Sequence, residues 1–233
     1  MAADDTAREH IGRLRGLWDE LGAGLGDDAL DAAQWSFDGT RPPNFPTRRI
    51  AALACTATPA IEGGLQTAVR HAIGWGTHSV ANVSPPGRLS PRELRTRRAQ
   101  LLDFFLSLSD PFWNTRTHFT GKLLAHPVRL VGTDRAHTII VDGLLPALLY
   151  QARRDGDRAF EQLLHQLFAT YPKLPSTAIT RFMALRLFGR PDSEVKLLRS
   201  ARRQQGLYQV YTDFCDSETA TCDRCPLVRL LEA

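Results

Sequence analysis

Apolar residues recur with the spacing of an α-helix along almost the whole chain, and this pattern limits the folds open to it. Near the start, Ile11, Leu14, Trp18 and Leu21 follow the i, i+3, i+7, i+10 spacing of one helix face. The same period continues through residues 28–37, 47–56, 61–73, 90–105, 133–153, 157–171, 177–188 and 193–214. Residues 128–131 favour a short strand instead. The sequence therefore predicts a mostly α fold, an irregular multi-helix domain with at most a short strand pair and a C-terminal cysteine-rich tail.

Helix breakers divide this pattern into segments. Arg41-Pro-Pro-Asn-Phe-Pro cannot continue a helix, because each proline biases the residue before it toward extended geometry. Residues 78–90 are rich in Ser, Pro and Gly, which is typical of a loop or an insertion. Ser90 and Glu93 then form the pattern of a capping box that starts the next helix. We expect an N-terminal helical segment over residues 1–40, a main helical domain over 41–214 and a cysteine-rich metal-binding tail over 215–233.

Three of the four cysteines lie in the C-terminal tail. Cys215, Cys222 and Cys225 have the spacing C-x6-C-x2-C, and a C-x2-C turn can direct two thiolates at one ion. Thiolates are soft ligands, so the tail predicts a zinc ion or an iron–sulfur cluster. The fourth ligand must come from elsewhere, and the candidates are Cys55, a histidine and Asp223. Three inert thiols or a redox disulfide are the alternatives.

Arginine supplies nearly all of the positive charge. The formal net charge is +4, and only three of the 29 basic residues are lysines. Guanidinium groups bind phosphate well, so nucleic acid is the expected macromolecular partner. The candidate phosphate-binding residues form three groups: Arg41, Arg48 and Arg49; Arg92, Arg95 and Arg98; and Arg199, Arg202 and Arg203. The alternatives are a coding sequence rich in G and C, internal pairing of the first group, and a plain solvated helix face for the second.

The sequence shows no export signal and no membrane span. Its first ten residues are polar and acidic, without the basic and apolar regions of a signal peptide. The most apolar run, residues 139–150, is short and is interrupted by Asp142 and Pro146. We therefore expect a cytoplasmic protein, and in that compartment clustered thiols serve as metal ligands more often than as disulfides. The sequence also lacks a nucleophile elbow, a P-loop and a dinucleotide fingerprint, so no motif assigns a reaction to it.

Four elements follow one another in a recognisable order: Arg41-Pro-Pro-Asn-Phe-Pro, Pro111-Phe-Trp, Ile139-Ile-Val-Asp-Gly-Leu-Leu-Pro, and the segment from Arg203 to Cys225. This order resembles the C-terminal half of an uncharacterised bacterial family, catalogued as domain of unknown function 2851, from about Trp35 to Cys225. The resemblance implies a mostly helical fold and brings no established activity. Members of the family usually carry a further N-terminal half with a motif rich in Glu, His and Asp, which has no counterpart here.

These features lead to one principal hypothesis and two alternatives. The principal hypothesis is a metal- or iron–sulfur-binding helical domain with a binding or scaffolding role, and nucleic acid is its expected partner. The first alternative follows from the resemblance: a subunit of an enzyme whose catalytic half, with the Glu and His motif, is a separate chain. The second alternative is a structural helical domain without a metal.

Overall fold

Helices dominate the computed structural model, which describes residues 5–21, 45–76, 88–119, 121–216, 221–223 and 225–228. The α-helices within these ranges are α1 (Asp5–Leu21), α2 (Pro46–Gly63), α3 (Leu65–Ala72), α4 (Pro91–Leu106), α5 (Thr133–Thr138), α6 (Leu145–Arg154), α7 (Arg158–Ala169), α8 (Ala178–Phe188) and α9 (Ala201–Phe214). A π-helix (Ile139–Leu144) joins α5 to α6, and a 3-10 helix (Lys196–Leu198) precedes α9. The fold is therefore mostly α, as predicted. None of the helices in the described ranges is both long and apolar enough to cross a membrane.

Two sequence predictions lie wholly or mostly outside the described residues. They are the helix over residues 28–37 and the loop over residues 78–90, of which only the last three positions are described. The predicted helices over residues 47–56 and 61–73 are divided differently, because α2 continues through the predicted gap to Gly63 and the break falls at Gly64, before α3. Within the described residues the remaining predicted segments coincide with helices, and the last of them is a 3-10 helix followed by α9.

The short strand predicted for residues 128–131 is wrong. The Val128 N–H donates to the Asn114 carbonyl at 2.7 Å. The carbonyls of Val128 and Arg129 accept hydrogen bonds from the guanidinium of Arg48. A loop and a side chain therefore satisfy the backbone groups that a strand ladder would use, and the segment has no need of a strand partner.

The chain divides into two compact units. The first comprises Met1–Ala68 and Phe104–Gly132, and the second comprises Val69–Asp103 and Thr133–Ala233. Each unit is therefore assembled from two separate stretches of sequence. The expected divisions near residues 40 and 214 stay predictions.

An aromatic cluster occupies the first unit. Phe112 and Trp113 are buried and meet edge to face, with their ring centroids 4.9 Å apart. His10 of α1 stacks on Phe112 at 4.5 Å, and Phe119 packs against Trp113 at 4.9 Å. The Arg116 guanidinium lies 4.6 Å from the centroid of the Phe112 ring. These ring contacts hold the turn-rich segment after α4 in place without regular secondary structure.

Helices α6 and α7 supply much of the core of the second unit. Their inward faces are buried through Leu145, Leu148, Ala152, Phe160, Leu163, Leu164 and Leu167. Asp157 caps α7, because its carboxylate accepts a hydrogen bond from the Phe160 N–H at 3.0 Å. Arg70 of α3 forms an ion pair with the same carboxylate and lies 4.0 Å from the centroid of the Phe160 ring. One arginine therefore ties α3 to the start of α7.

The helix predicted for residues 133–153 is present, and its irregularity takes the form of a π-helix. Pro146 has no N–H to give to the Asp142 carbonyl four residues earlier, and its ring crowds that carbonyl. In an α-helix the Leu145 N–H would donate to the carbonyl four residues back, but here it donates to the Ile140 carbonyl, five residues back. The wider turn of a π-helix thus accommodates the proline, and the chain stays helical from α5 into α6.

The helix ends follow cap signals in the sequence. The Ser90 hydroxyl accepts from the Glu93 N–H at 3.2 Å, and the Glu93 carboxylate accepts from the Ser90 N–H at 2.8 Å, so the predicted capping box is confirmed. Thr177 and Thr180 form a second capping box at the start of α8. Gly189 ends α8 with a φ of 62°, in the left-handed region that favours glycine.

Candidate functional site

The cysteine tail begins where α9 ends. Cys215 follows the last helical residue, and its N–H donates to the Tyr211 carbonyl at 2.8 Å. Its half-buried side chain packs against an apolar cluster made of Met183, Ala184, Val195, Leu198 and Leu207. A ligand bound to this thiol would therefore lie next to the packed part of the second unit.

Cys222 and Cys225 lie on a tight turn. The Cys225 N–H donates to the Cys222 carbonyl at 3.2 Å, and the Val228 N–H donates to the Cys225 carbonyl at 3.1 Å. Cys222 is exposed, whereas Cys225 is half-buried. A C-x2-C turn of this kind can present both thiols to one ion.

Charge on the other two tail thiols acts on Cys215. Burial raises the pKa of Cys215, the Arg186 guanidinium lowers it, and charge on Cys225 and Cys222 raises it again. Arg186 also lies over the ring of Phe182, 5.4 Å from its centroid. A metal cation would oppose the repulsion among the thiolates, because coordination favours the deprotonated form of each ligand.

The described residues do not contain a formed metal site. Among them, no three His, Cys, Asp or Glu side chains stand close enough together to hold an ion. Cys55 belongs to α2 in the first unit, where its thiol donates to the Ser109 carbonyl at 3.9 Å. Burial raises the pKa of Cys55, and the charge of Asp110 adds to that effect. The assignment of Cys55, Cys215, Cys222 and Cys225 as ligands therefore stays a prediction.

The first group of arginines is used in different ways. Arg41 lies outside the described residues, and Arg49 is exposed. Arg48 is 1% exposed, and burial lowers its pKa. Its guanidinium donates to four backbone carbonyls, those of Trp113, Arg116, Val128 and Arg129. These bonds give Arg48 the internal role that the sequence left open for this group, and phosphate binding by Arg41, Arg48 and Arg49 stays a prediction.

The second and third groups of arginines both belong to the second unit and approach the same point of the chain. Arg98 of α4 donates to the Thr170 carbonyl. At the start of α9, the Ala201 N–H donates to the Tyr171 carbonyl at 3.1 Å. The exposed members of the two groups are Arg92, Arg95, Arg199, Arg202 and Arg203. Two consecutive carbonyls thus anchor α4 and the start of α9, which bears Arg202 and Arg203 and directly follows Arg199 and Ser200.

The sequence did not single out a histidine–tyrosine pair in the second unit. His137 Nδ1 lies 2.7 Å from the hydroxyl of Tyr171. Burial raises the pKa of Tyr171 to about 12 and lowers the pKa of His137. The π-helix follows immediately, and its Asp142 accepts a hydrogen bond from Gln205 at 2.6 Å. Pro146 was the only sequence signal of this irregular turn, and no residue spacing links positions 137 and 171.

A family model described as Protein of unknown function (DUF2851) matches residues 3–174. The chain belongs to this family. The DUF2851 match includes the Arg-Pro-Pro-Asn-Phe-Pro, Pro111-Phe-Trp and Ile139–Pro146 elements of the sequence and ends before α9 and the cysteine tail. The expected likeness to the C-terminal half of DUF2851, extending to Cys225, is therefore not confirmed. Searches of curated proteins and of solved structures give no match.

Proposed function

We propose that this DUF2851 protein is a helical binding module whose C-terminal tail holds a zinc ion or an iron–sulfur cluster. The observation that supports the proposal is that charge on Cys222 and Cys225 contributes to the raised pKa of Cys215, so the turn that carries the other two thiols lies in the same region as Cys215. Thiolates gathered in one region are the ligands that these metals prefer. A cytoplasmic location would suit the site, because a reducing compartment keeps the thiols available.

The structural role of the ion would be to fix the tail against α8 and α9. Cys215 already packs beside Met183 and Leu207, so closing Cys222 and Cys225 around a shared ion would extend that packed region. Metal binding of this kind adds directly to the free energy of folding. Cys55, a histidine or Asp223 would supply the fourth ligand.

Metal analysis of protein purified without oxygen tests this function. We expect iron with acid-labile sulfide and a visible absorption band if the tail holds a cluster, or about one zinc per chain without colour if it holds a structural ion. Cys222→Ser should lose most of the bound metal, whereas Thr221→Ala, a change at the neighbouring exposed residue, should retain it. Cys55→Ser tests whether Cys55 is the fourth ligand. It should lower the metal content if Cys55 binds the ion, and should leave it unchanged if a histidine or Asp223 does. Wild-type protein that contains neither metal would refute the proposal.

Nucleic acid is a second candidate partner, and one observation favours it. Arg98 of α4 donates to the Thr170 carbonyl, and the first N–H of α9 donates to the neighbouring Tyr171 carbonyl. The arginines of α4 and those at and just before the start of α9 can therefore act on one phosphate backbone. Binding to a DNA duplex should weaken steeply as salt rises, and the double variant Arg95→Ala, Arg199→Ala should reduce the slope of that dependence. Arg129→Ala, which removes an exposed arginine of the first unit, is the matched control. Equal binding of the duplex to the double variant and to Arg129→Ala, or no binding to the wild type, would refute nucleic acid as a partner.

A further inference from the structure

Two apolar grooves adjoin on the surface of the second unit. The first has a volume of about 600 Å³, and its lining includes Pro146, Leu149, Tyr150 and Phe168. The second has a volume of about 640 Å³, and its lining includes Leu187, Phe188, Leu197 and Val210. Ala169 and Arg202 line both, so the two grooves meet at these residues. We call the combined surface the double groove.

Large apolar side chains remain exposed along the double groove. Tyr150 is 69% exposed, Leu197 is 48% exposed and Leu187 is 44% exposed. Scattered apolar residues are normal on a protein surface, but a continuous apolar patch marks an interaction site. The apolar residues of the double groove are not scattered, because its two halves adjoin at the shared lining residues Ala169 and Arg202.

A glycine in the middle of α9 lines one half of the double groove. Gly206 lines the second groove, and a Cβ built at this position would meet no atom within 4 Å. Glycine weakens a helix interior relative to alanine, and the site has room for a larger side chain. The fold therefore keeps a locally unfavourable residue at a position that lines the groove and has room for a larger side chain.

Arg202 gives the double groove a charge without an internal counterpart. Its side chain is exposed at the junction of the two halves and makes no hydrogen bond or ion pair with any residue that the structure describes. The other arginine of the first groove, Arg153, is already paired with Glu161. In the second groove Arg203 donates to the Leu197 carbonyl at 3.2 Å. A partner that fits this surface thus needs apolar groups on both sides of one acidic group.

We propose that the double groove binds an amphipathic helix of a partner protein, with apolar side chains in the two halves and a carboxylate on Arg202. Apolar residues at i, i+3 or i+4 and i+7 of such a helix would enter successive parts of a groove. Nucleic acid fits the lining less well, because phosphates and sugars offer no complement to aliphatic side chains such as Leu187, Leu197 and Val210. The inference stands apart from the metal proposal, since no cysteine lines either half of the groove.

Two synthetic peptides test the proposal on the full-length protein by fluorescence anisotropy. Both are helical with a leucine stripe, and they differ only in having glutamate or lysine beside the stripe. The glutamate peptide should bind at least tenfold more tightly than the lysine peptide, because like charges facing Arg202 repel. Arg202→Glu should reverse this order, while Arg190→Glu, a change at an exposed arginine outside the lining, should preserve it.

Gly206→Leu supplies a variant that fills the groove without weakening the helix. It should lower the affinity for the glutamate peptide at least tenfold and leave the melting temperature equal to or above that of the wild type. Gly16→Leu, which adds the same side chain to an exposed helical glycine of α1, should bind like the wild type. Three outcomes would overturn the proposal: neither peptide binds, Gly206→Leu binds normally, or Gly206→Leu instead abolishes DNA binding or self-association of the protein.

Discussion

Arg48 illustrates how one buried side chain can organise a segment that has no regular secondary structure. A guanidinium offers five N–H donors in a rigid fork, which matches several carbonyls at once. Arg48 uses this fork on four carbonyls that lie 65 to 81 residues further along the chain. The charge is buried, but it is surrounded by strong acceptors, so it stabilises the loop instead of disrupting it.

Replacing Arg48 should therefore be costly. Arg48→Ala should lower the free energy of unfolding by about 3 kcal/mol or more, because it leaves buried carbonyls without donors. Arg48→Lys should recover part of the loss, since an ammonium keeps the charge but lacks the fork. Urea unfolding followed by tryptophan fluorescence measures both changes. The exposed neighbour provides the control, and Arg49→Ala should change stability by no more than about 0.5 kcal/mol; equal losses for the two alanine variants would contradict this role.

His137 should make stability depend on pH. Burial lowers its pKa, and Asp134 opposes the shift, so the folded state binds the proton less readily than the unfolded state does. The stability that the neutral ring contributes is complete above the unfolded-state pKa of about 6.5 and is lost as pH falls through the lower folded-state value.

The wild type should thus lose more stability than His137→Gln when the pH is lowered from about 7.5 to about 5, the range in which histidine titrates. Urea titrations at a series of pH values give the comparison. The exposed His126 serves as the reference, and His126→Gln should follow the wild type. A steeper pH dependence in His137→Gln than in the wild type would show that the sign is wrong.

At the scale of the helices, the local sequence predicted most elements correctly, and each wrong prediction has an identifiable physical cause. Periodicity and caps predicted α4, α7 and α8, because the residues that specify them lie within a few positions of one another. The π-helix was harder to predict from the sequence, because Pro146 indicates an irregular turn but does not determine which kind. The segment at Val128 was misread because its β-branched residues suit a strand, whereas the acceptor role of its carbonyls depends on a distant arginine.

Two helix glycines should respond to alanine with opposite signs. Gly189→Ala should lower stability by about 1 kcal/mol, because the left-handed φ at the end of α8 is unfavourable with a Cβ. Gly206→Ala should raise stability by roughly 0.5 to 1 kcal/mol, since it lies in a regular helix with open space around the new methyl group. Thermal unfolding of the pair of variants decides the matter, and shifts in the same direction would contradict this account.

At the scale of the whole molecule, the sequence suggested three consecutive segments, whereas the contacts form two units that are each discontinuous. Two of the three limits between these units fall inside α3 and α4, where no breaker or composition change marks a boundary, and the third follows Gly132, directly before α5. For the candidate sites, too, the sequence revealed local features but not distant contacts. The spacing of Cys215, Cys222 and Cys225 is visible in the sequence, because these residues lie within eleven positions. The contact of Arg98 with the Thr170 carbonyl is not visible, because the two residues are far apart in the chain.

If the tail holds an ion as proposed, the division into units predicts which amides respond to its removal. Chelation should then speed hydrogen exchange in α8 and α9, which pack beside Cys215, because those amides would lose the stabilisation that the ion provides. The amides of α2 belong to the other unit and should exchange at unchanged rates. Mass spectrometry of exchanged peptides gives the readout, and a uniform increase across both sets would mean that the ion supports the whole chain. Cys222→Ser without chelator is the matched comparison.

The interleaved order of the two units has a consequence for synthesis. A ribosome delivers the chain from its N-terminus, so the last residue that the first unit needs, Gly132, emerges before most of the second unit exists. Residues 69–103 emerge earlier still, yet the rest of their unit is translated after them. During that interval Val69, Ile73 and Leu94, which end up buried, have no finished core to enter. A fragment ending at residue 132 would correspond to that intermediate. It would contain every residue of the first unit but only residues 69–103 of the second.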